Sequence, residues 1–223
     1  MSALLEAESL YRFYHAGDDE TLALQGVSLA VAGGEMVAVT GPSGSGKSTL
    51  LACLAGLDEP SGGMVRVAGR RLSRRPESER AALRATHIGM LFQSANLVEH
   101  LDISENVALA QRLAISSRRD GRADIGELLV HVGLQARAHA RPSQLSGGEL
   151  ARAGLAVALA NQPAVVLADE PTGELDATTA QRVLALLRRR ADDGAAVVVV
   201  THNPVVAEAA DRTIELADGR VIA

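Results

Sequence analysis

The hydrophobic pattern along the chain predicts most of its secondary structure. Near the N-terminus, apolar residues alternate with polar ones in segments such as 27–31 and 64–68, which is typical of antiparallel β-strands. Two later runs, 165–168 and 196–200, are continuously apolar and rich in β-branched residues, as fully buried strands of a parallel sheet are. The segment 178–190 between them has helical periodicity. Strand, helix and strand in this order predict an α/β fold.

The middle of the chain, from residue 94 to about 144, is expected to be helical. Apolar residues in one part of it recur at helical spacing: Ile125, Leu128, Leu129 and Val132. Three glycines are expected to separate the helices: Gly121, Gly126 and Gly133. At the C-terminal end, residues 213–222 predict a β-hairpin that turns at Asp218 and Gly219.

Composition limits the class of protein. The chain has 223 residues, 47% of them hydrophobic, which suffices for one sizeable domain or a core with an inserted subdomain. No apolar run reaches the roughly 18 residues that cross a bilayer, and the N-terminus lacks the features of a signal peptide. We therefore expect the chain to stay in the cytoplasm. The single cysteine, Cys53, excludes an internal disulfide and is expected to be buried.

The charge of the chain argues against a nucleic-acid partner. The formal net charge is −5, whereas binding to nucleic acid favours a basic surface. One basic cluster is an exception: Arg70, Arg71, Arg74 and Arg75. We interpret it as a solvated loop because two acidic residues, Glu77 and Glu79, follow at once.

A glycine-rich segment between a predicted strand (35–40) and a predicted helix (49–55) indicates the ligand. Residues 41–48 fit the phosphate-loop pattern G-x-x-x-x-G-K-[ST] at every defined position. Glycines let consecutive backbone N–H groups face an anion, and the helix N-terminus adds partial positive charge. Lys47 would reach the β- and γ-phosphates of ATP, and the Ser48 hydroxyl would ligate Mg²⁺. The predicted ATP-binding residues here are Gly41, Pro42, Ser43, Gly44, Ser45, Gly46, Lys47, Ser48 and Thr49.

Two adjacent acids follow the buried run 165–168. Carboxylates at the end of a parallel strand lie at the ligand-binding edge of the sheet. Asp169 suits a Mg²⁺ ligand, acting directly or through water. Glu170 suits a general base that accepts a proton from the attacking water.

Together with further motifs, these segments resemble the ATP-binding cassette (ABC) family over essentially the whole chain. Leu145-Ser-Gly-Gly-Glu149 is similar to the family signature Leu-Ser-Gly-Gly-Gln, and Gln93 matches the Q-loop. The segment 170–176 matches the Walker B exit and the D-loop, which ends at Asp176. Thr201-His202 matches the switch histidine. Tyr14 stands where the family places an adenine-stacking aromatic residue and is preferred on spacing to Tyr11.

The resemblance implies the fold class and its subdivision. We expect an α/β P-loop NTPase with a RecA-like parallel sheet core, an N-terminal antiparallel β subdomain and an inserted α-helical subdomain. Residues 1–223 would form one ATP-binding domain. Within it, 1–93 and 160–223 would make the core with its β subdomain, and 94–159 the helical signature subdomain.

The resemblance also implies roles for individual residues. Lys47, Glu170 and His202 would be catalytic, with His202 contacting the γ-phosphate and helping to position Glu170 and water. Gln93 would contact Mg²⁺ or the attacking water. The signature residues would cap the γ-phosphate bound by a second copy of the chain, through a serine hydroxyl and free backbone N–H groups: Ser146, Gly147, Gly148 and Glu149.

Some positions depart from the family pattern. Glu149 replaces the usual glutamine, Glu174 stands in the D-loop where Asn or Ala is usual, and Asn203 replaces the common aspartate after the histidine. The residues assigned to hydrolysis are intact, so we expect ATP hydrolysis. The departures leave two properties open: the rate of ATP hydrolysis and the pairing of two copies of the chain in the dimer.

Local strings such as 103–107, 141–149 and 167–173 resemble one branch of the family. It contains the lipoprotein-releasing (LolD), macrolide-exporting (MacB) and cell-division (FtsE) ATPases. The resemblance implies that the chain powers a separate FtsX/MacB-like membrane permease, which selects the substrate, from the inner face of the membrane. Export, lipid or lipoprotein extraction and mechanotransmission all stay open. So do two alternatives, a soluble non-transport ATPase and a cell-division-type switch with weak turnover.

Overall fold

The computed structural model describes residues 3–16, 19–92, 97–114, 123–173 and 175–222. Ten strands are β1 (Ala3–Ala16), β2 (Asp19–Ala32), β3 (Met36–Thr40), β4 (Gly62–Val67), β5 (Arg70–Arg71), β6 (Ile88–Leu91), β7 (Val165–Asp169), β8 (Ala196–Val200), β9 (Arg212–Ala217) and β10 (Arg220–Val221). Seven α-helices are α1 (Lys47–Leu54), α2 (Glu77–His87), α3 (Ile103–Leu113), α4 (Ile125–His131), α5 (Gly147–Leu159), α6 (Ala177–Asp192) and α7 (Pro204–Glu208). Both counts refer to these described ranges.

The larger sheet has six strands in the order β10-β9-β3-β8-β7-β6. The five strands from β9 to β6 pair in parallel, and only β10 is antiparallel. The apolar run 196–200 forms its central strand β8, in which every residue is buried, because both faces of the sheet are covered. The predicted parallel strands 165–168 and 196–200 are direct neighbours, and α6 connects them as expected. The hairpin at Asp218 and Gly219 joins β9 to β10.

The smaller sheet is antiparallel, with the order β2-β1-β4-β5. Its inner face, helix α1 and one face of the larger sheet share one apolar cluster that includes Leu5, Leu24, Leu50 and Val198. The glycine-rich loop before α1 is therefore held between the two sheets. The prediction of a loop for the basic cluster was partly wrong, because Arg70 and Arg71 pair with β4 as strand β5.

Helices α3, α4 and α5 enclose a separate apolar cluster that includes Ile103, Leu129 and Ala156. Two predictions for this part need correction. Gly126 does not separate helices, because it is the second residue of α4. The helices are also shorter than the span 94–144 suggested, since two 3₁₀ turns follow α4 at Gln135–Arg137 and Pro142–Gln144. Gly133, at φ 69°, follows the C-terminus of α4, where glycine suits the left-handed backbone.

Three residues to which the sequence pattern gave a role lie outside the described residues: Gln93, Gly121 and Glu174. Within the described ranges, no helix combines the length and apolarity that a bilayer crossing requires. The subdivision into 1–93 with 160–223, and 94–159, stays a prediction. The separate apolar cluster of α3, α4 and α5 is compatible with it.

Candidate active site

The phosphate loop connects the end of β3 to the start of α1. Gly46 precedes the helix with φ 101°, and a Cβ atom there would lie 2.4 Å from the Ala23 carbonyl oxygen. Only glycine fits both the backbone angle and this close approach. The Lys47 Nζ atom donates hydrogen bonds to the carbonyl oxygens of Gly41 at 2.9 Å and Pro42 at 2.7 Å. The loop thus holds the Lys47 ammonium near the N-terminus of α1.

A cleft of about 690 Å³ lies beside this loop. Its wall includes eleven of the predicted site residues: Tyr14, Gly41, Ser43, Gly44, Gly46, Lys47, Ser48, Thr49, Asp169, Glu170 and His202. Pro42 and Ser45 belong to the loop but not to the wall, and Ser45 is buried. The structure therefore brings together residues from four distant parts of the sequence. Three parts follow the carboxyl ends of β3, β7 and β8, where ligands bind in open α/β sheets, and the fourth is Tyr14 of β1.

Sequence reasoning missed another part of the wall. It comes from β2 and from the turn of the C-terminal hairpin: Thr21, Leu22, Ala23, Gln25, Asp218 and Gly219. The turn is fastened to the loop, because the Gly219 N–H donates to the Ser45 carbonyl and the Gln25 N–H donates to the Gly219 carbonyl. No local motif marks these residues, since their place in the wall depends on pairing between distant segments.

Asp169 is the last residue of β7 and faces the start of α1. The Ser48 side chain lies near enough to Asp169 to lower the pKa of its carboxyl group, so the two predicted Mg²⁺ ligands are close together. Burial raises the pKa of Asp169, the charge of Glu170 raises it further, and Ser48 and Lys47 oppose this shift. A bound cation would offset the free-energy cost of ionising this carboxylate.

Glu170 and His202 meet directly in the cleft. His202 Nδ1 lies 2.7 Å from Glu170 Oε1, and the Thr201 hydroxyl donates to Glu170 Oε2 at 3.2 Å. Glu170 has a left-handed backbone, with φ 45°, which is rare for a residue other than glycine. The chain turns sharply after β7 and directs this carboxylate toward the segment that follows β8.

The structure separates the two tyrosine candidates. Tyr14 lines the cleft, whereas Tyr11 is absent from its wall and packs near Gly26 and Gly62. The Tyr14 hydroxyl donates a 2.7 Å hydrogen bond to Asp58 Oδ2. Its placement supports the choice of Tyr14 made from spacing.

The signature segment lies apart from this cleft and differs from the prediction. Ser146 is the N-cap of α5, and Gly147 and Gly148 are its first two helical residues. The serine hydroxyl is not free, because it donates to the Glu149 carboxylate at 3.0 Å and accepts from the Glu149 N–H at 3.3 Å. The same carboxylate accepts from the Ser146 N–H at 2.8 Å. Glu149 thus closes a capping box over this helix end and occupies the Ser146 hydroxyl that was predicted to cap a phosphate.

Two contacts fix the packing of Gly148 and the charge partner of Glu149 in the signature segment. A Cβ atom on Gly148 would lie 2.9 Å from the Thr179 side chain, so glycine lets α5 approach α6 closely. The Arg137 Nε atom donates to Glu149 at 3.1 Å and provides its charge partner. The hydrogen bonds from the Ser146 backbone and side chain, together with Arg137, lower the pKa of Glu149, so its carboxylate is ionised at neutral pH.

Asp176 of the D-loop caps helix α6. Its carboxylate accepts from the N–H groups of Thr178 and Thr179 and from the Thr179 hydroxyl at 2.6 Å.

Gln93 lies outside the described residues, so its predicted contacts stay a prediction. Its neighbour Phe92 lines a second cleft of about 460 Å³, which Glu170 also borders. The fold thus provides a space between α5 and the ends of β6 and β7.

The fold and the cleft define a class of protein, a phosphate-loop NTPase cassette. Comparison with known proteins agrees, since the sequence profile of the family described as ABC transporter matches residues 24–173. The chain belongs to the ABC transporter family. The predicted family and fold class are therefore confirmed.

Individual relatives are similar over nearly the whole chain. The macrolide export ATP-binding/permease protein MacB of Hahella chejuensis is 44% identical over 220 residues, which are 99% of this chain and 34% of the relative. The chain thus spans about a third of the length of such curated relatives. A dimeric post-hydrolysis structure of the ATP-binding cassette MJ0796 bound to ADP and Pi has a TM-score of 0.89 and 35% identity, covering 98% of this chain and 97% of that one. An ATP-binding subunit of an ABC transporter has a TM-score of 0.84 and 29% identity, covering 99% and 88%.

Proposed function

We propose that the chain binds and hydrolyses ATP as the motor subunit of a membrane transport or mechanotransmission system. One observation carries this proposal. Lys47, Asp169, Glu170 and His202, from three separate segments of the chain, line one cleft beside the phosphate loop. A cation, a metal-ligating acid, a base and an orienting imidazole are the groups that phosphoryl transfer to water requires.

The site residues fit ATP with Mg²⁺. Lys47 Nζ donates to two carbonyl oxygens of its own loop and, at 3.5 Å, to the Ser45 hydroxyl. A phosphate oxygen would replace the long serine contact and accept from the ammonium instead. Ser48 and Asp169 offer hydroxyl and carboxylate oxygens, which Mg²⁺ prefers, and Gln93 would complete the set. Bound there, Mg²⁺ would neutralise charge on the β- and γ-phosphates.

Glu170 and His202 would act on the attacking water. Glu170 would accept a proton from the water as the water oxygen bonds to the γ-phosphorus. The bond from the γ-phosphorus to the β–γ bridging oxygen would break at the same time, and ADP would leave. His202 and Thr201 fix both carboxylate oxygens, so the base would be oriented before the substrate binds. The His202 side chain is mostly exposed to the cleft, where its ring could also donate to the γ-phosphate.

Closure of the site would require a second copy of the chain. In the wall of the cleft, the described residues include none of the four signature residues from Ser146 to Glu149. They lie at the start of helix α5, where Ser146 and Gly147 are exposed and Gly148 and Glu149 are partly buried. In the proposed head-to-tail dimer, each signature helix would cap the ATP held by the other copy. The cassette MJ0796, at 35% identity, is a dimer in its structure with ADP and Pi.

The partner of this dimer would be an integral membrane permease of the FtsX/MacB type. The named relatives are described as ATP-binding/permease proteins, and this chain matches one third of their length. The chain would then act at the inner face of the cell membrane, and the permease would select what is moved. Recovery of the chain from detergent extract with a multi-span membrane protein would support this assignment. Recovery without one would favour a soluble ATPase.

The test of hydrolysis is the Glu170→Gln variant. We expect it to bind ATP and to elute as a dimer on gel filtration, with turnover reduced about 100-fold or more because the base is lost. The matched control is Glu208→Gln, which changes an exposed glutamate at the end of α7, away from the cleft. Unchanged phosphate release by Glu170→Gln would contradict the role of Glu170. Absence of ATP binding by the unaltered chain would contradict the proposed function itself.

A further inference from the structure

We propose that Arg12 and Asp58 are positioning residues that hold Tyr14 as a one-sided platform for the nucleobase. This inference rests on the proposed function, because it concerns how the same cleft recognises ATP. It adds two residues that no motif marked. Neither touches the nucleotide site directly, since the described wall of the cleft includes Tyr14 but neither Arg12 nor Asp58.

The three side chains form a closed cluster. Arg12 donates twice to Asp58, from Nε to Oδ2 at 2.8 Å and from Nη2 to Oδ1 at 2.7 Å. Tyr14 donates its hydroxyl to Asp58 Oδ2 at 2.7 Å. The arginine and aspartate side chains are each 24% exposed, so the two-pronged pair is largely shielded from water. Asp58 therefore holds the hydroxyl end of the Tyr14 ring. Rotation of the ring about its long axis would break its contact with the Arg12 guanidinium.

Arg12 also occupies one face of the ring. Its guanidinium carbon lies 4.5 Å from the centroid of Tyr14, within the range of a cation–π contact. A nucleobase cannot stack on a face that already carries a guanidinium. Tyr14 lines the cleft, so the opposite face of its ring would be the one left for adenine. The arrangement would be a sandwich with the cation on one side and the base on the other.

Asp58 connects this platform to the phosphate loop. It follows helix α1, and its backbone N–H donates to the Ala52 carbonyl of that helix at 3.2 Å. The same helix begins at Lys47, which contacts the loop carbonyls. The distance between the tyrosine platform and the phosphate site is thus set by one short rigid helix. Loss of the cluster would leave the phosphate site intact and loosen only the base site.

The test compares ATP with a ligand that has no base. Binding of MgATP and of Mg-tripolyphosphate is measured by calorimetry for the unaltered chain, Arg12→Met and Asp58→Asn. We expect both variants to bind ATP about tenfold more weakly, since one base-stacking contact is worth about that much. Their tripolyphosphate affinity should stay the same, which also shows that they are folded. Arg66→Met, on strand β4 of the same sheet, is the matched control and should change neither affinity.

A double-mutant cycle tests whether Arg12 acts through the ring. In a Tyr14→Ala background, Arg12→Met should no longer weaken ATP binding. An equal loss in both backgrounds would overturn the proposal, and so would an equal loss of ATP and tripolyphosphate affinity. The chain contains no tryptophan and only two tyrosines, so a Tyr11→Phe background leaves Tyr14 as the main fluorophore. Its fluorescence should respond to ATP and not to tripolyphosphate. Failure of the unaltered chain to bind either ligand would instead count against the proposed function.

Discussion

His202 Nδ1 lies 2.7 Å from Oε1 of Glu170, although 32 positions separate the two residues in the chain. The contact joins the segment after β8 to the segment after β7, two neighbouring strands of the parallel sheet. The imidazole is 74% exposed and the carboxylate only 14% exposed. An exposed side chain thus meets a largely buried one, and the histidine is the partner that a nucleotide could contact.

Replacing His202 with alanine should slow hydrolysis without preventing ATP binding. We expect turnover to fall about 100-fold, because one oriented donor near the developing charge is lost. The matched control is His139→Ala, since His139 is also exposed and also lies 3.0 Å from a carboxylate, that of Asp102. A steady-state phosphate-release assay measures both. Equal turnover in the two variants would contradict the role given to His202.

Replacing Asp169 with asparagine should stabilise the ligand-free chain while it weakens Mg²⁺-dependent hydrolysis. Burial and Glu170 raise the pKa of Asp169, so its ionised form costs folding free energy in the bare site. An acid whose folded pKa is raised contributes its full stability below its ordinary pKa and loses it as the pH rises through the folded value. The melting temperature of Asp169→Asn should therefore exceed that of the unaltered chain by a few degrees at pH 7.5.

The pH dependence provides the check. The difference in melting temperature should shrink as the pH is lowered toward the pKa of Asp169, because the unaltered side chain then also becomes neutral. Thermal melts without nucleotide at several pH values measure this. A lower melting temperature of the variant at pH 7.5 would show that the Ser48 and Lys47 contacts outweigh burial.

Glu149→Gln should promote ATP-dependent dimerisation. The glutamate carboxylate already satisfies the Ser146 N–H and hydroxyl, and its negative charge opposes an incoming triphosphate at this helix end. Glutamine can keep the cap through its amide oxygen and removes the charge. In the hydrolysis-deficient Glu170→Gln background, we expect dimers at lower ATP concentration, measured by gel filtration or light scattering.

The chain offers a matched control for this change. Helix α3 begins with the same kind of capping box, in which Glu105 accepts from the Asp102 N–H and the Asp102 side chain accepts from the Glu105 N–H. Glu105→Gln therefore removes the same charge from the same motif away from the signature segment. A similar shift in both variants would show an effect of net charge, not of the signature site.

Gly46→Ala should damage the fold more than Gly133→Ala. Both glycines have positive φ, 101° and 69°, so each alanine has a cost of about 1–2 kcal/mol from the left-handed backbone. At Gly46 the new methyl group would also lie 2.4 Å from the Ala23 carbonyl oxygen, whereas around Gly133 nothing lies within 4 Å. Urea denaturation without nucleotide measures the difference. Equal losses of unfolding free energy would contradict the steric argument.

Burial of Cys53 predicts its reactivity. The thiol lies in α1 within the core, and burial raises its pKa to about 12. A thiol with this pKa carries little thiolate at pH 8, so a disulfide reagent should label it only slowly in the folded chain. Labelling should become fast in denaturant. Rapid labelling under native conditions would indicate local opening around α1.

Several parts of the fold and site follow from local sequence. The runs 165–168 and 196–200 are short, apolar and rich in β-branched residues, which favours buried strands. The pattern of residues 41–48 predicts both the glycine-rich loop and the place of its lysine. These signals are local because they depend on backbone dihedrals and on side chains within a few residues. Gly126 shows the limit, since a glycine within a helix costs too little to end it when Leu128 and Leu129 are buried in the core.

The sequence alone was sufficient to identify the phosphate loop, the acids after β7, the histidine after β8 and the family that combines them. Only the tertiary structure decided which residues meet. It brings the turn at Gly219 onto the phosphate loop, sets Arg12 and Asp58 around Tyr14, and closes the Ser146 cap with Glu149. The first two contacts join segments far apart in the chain. The third is local, and the Ser-x-x-Glu spacing of residues 146–149 matches the capping-box pattern. The contact of Glu149 with Arg137, twelve positions earlier in the chain, was decided by the tertiary structure.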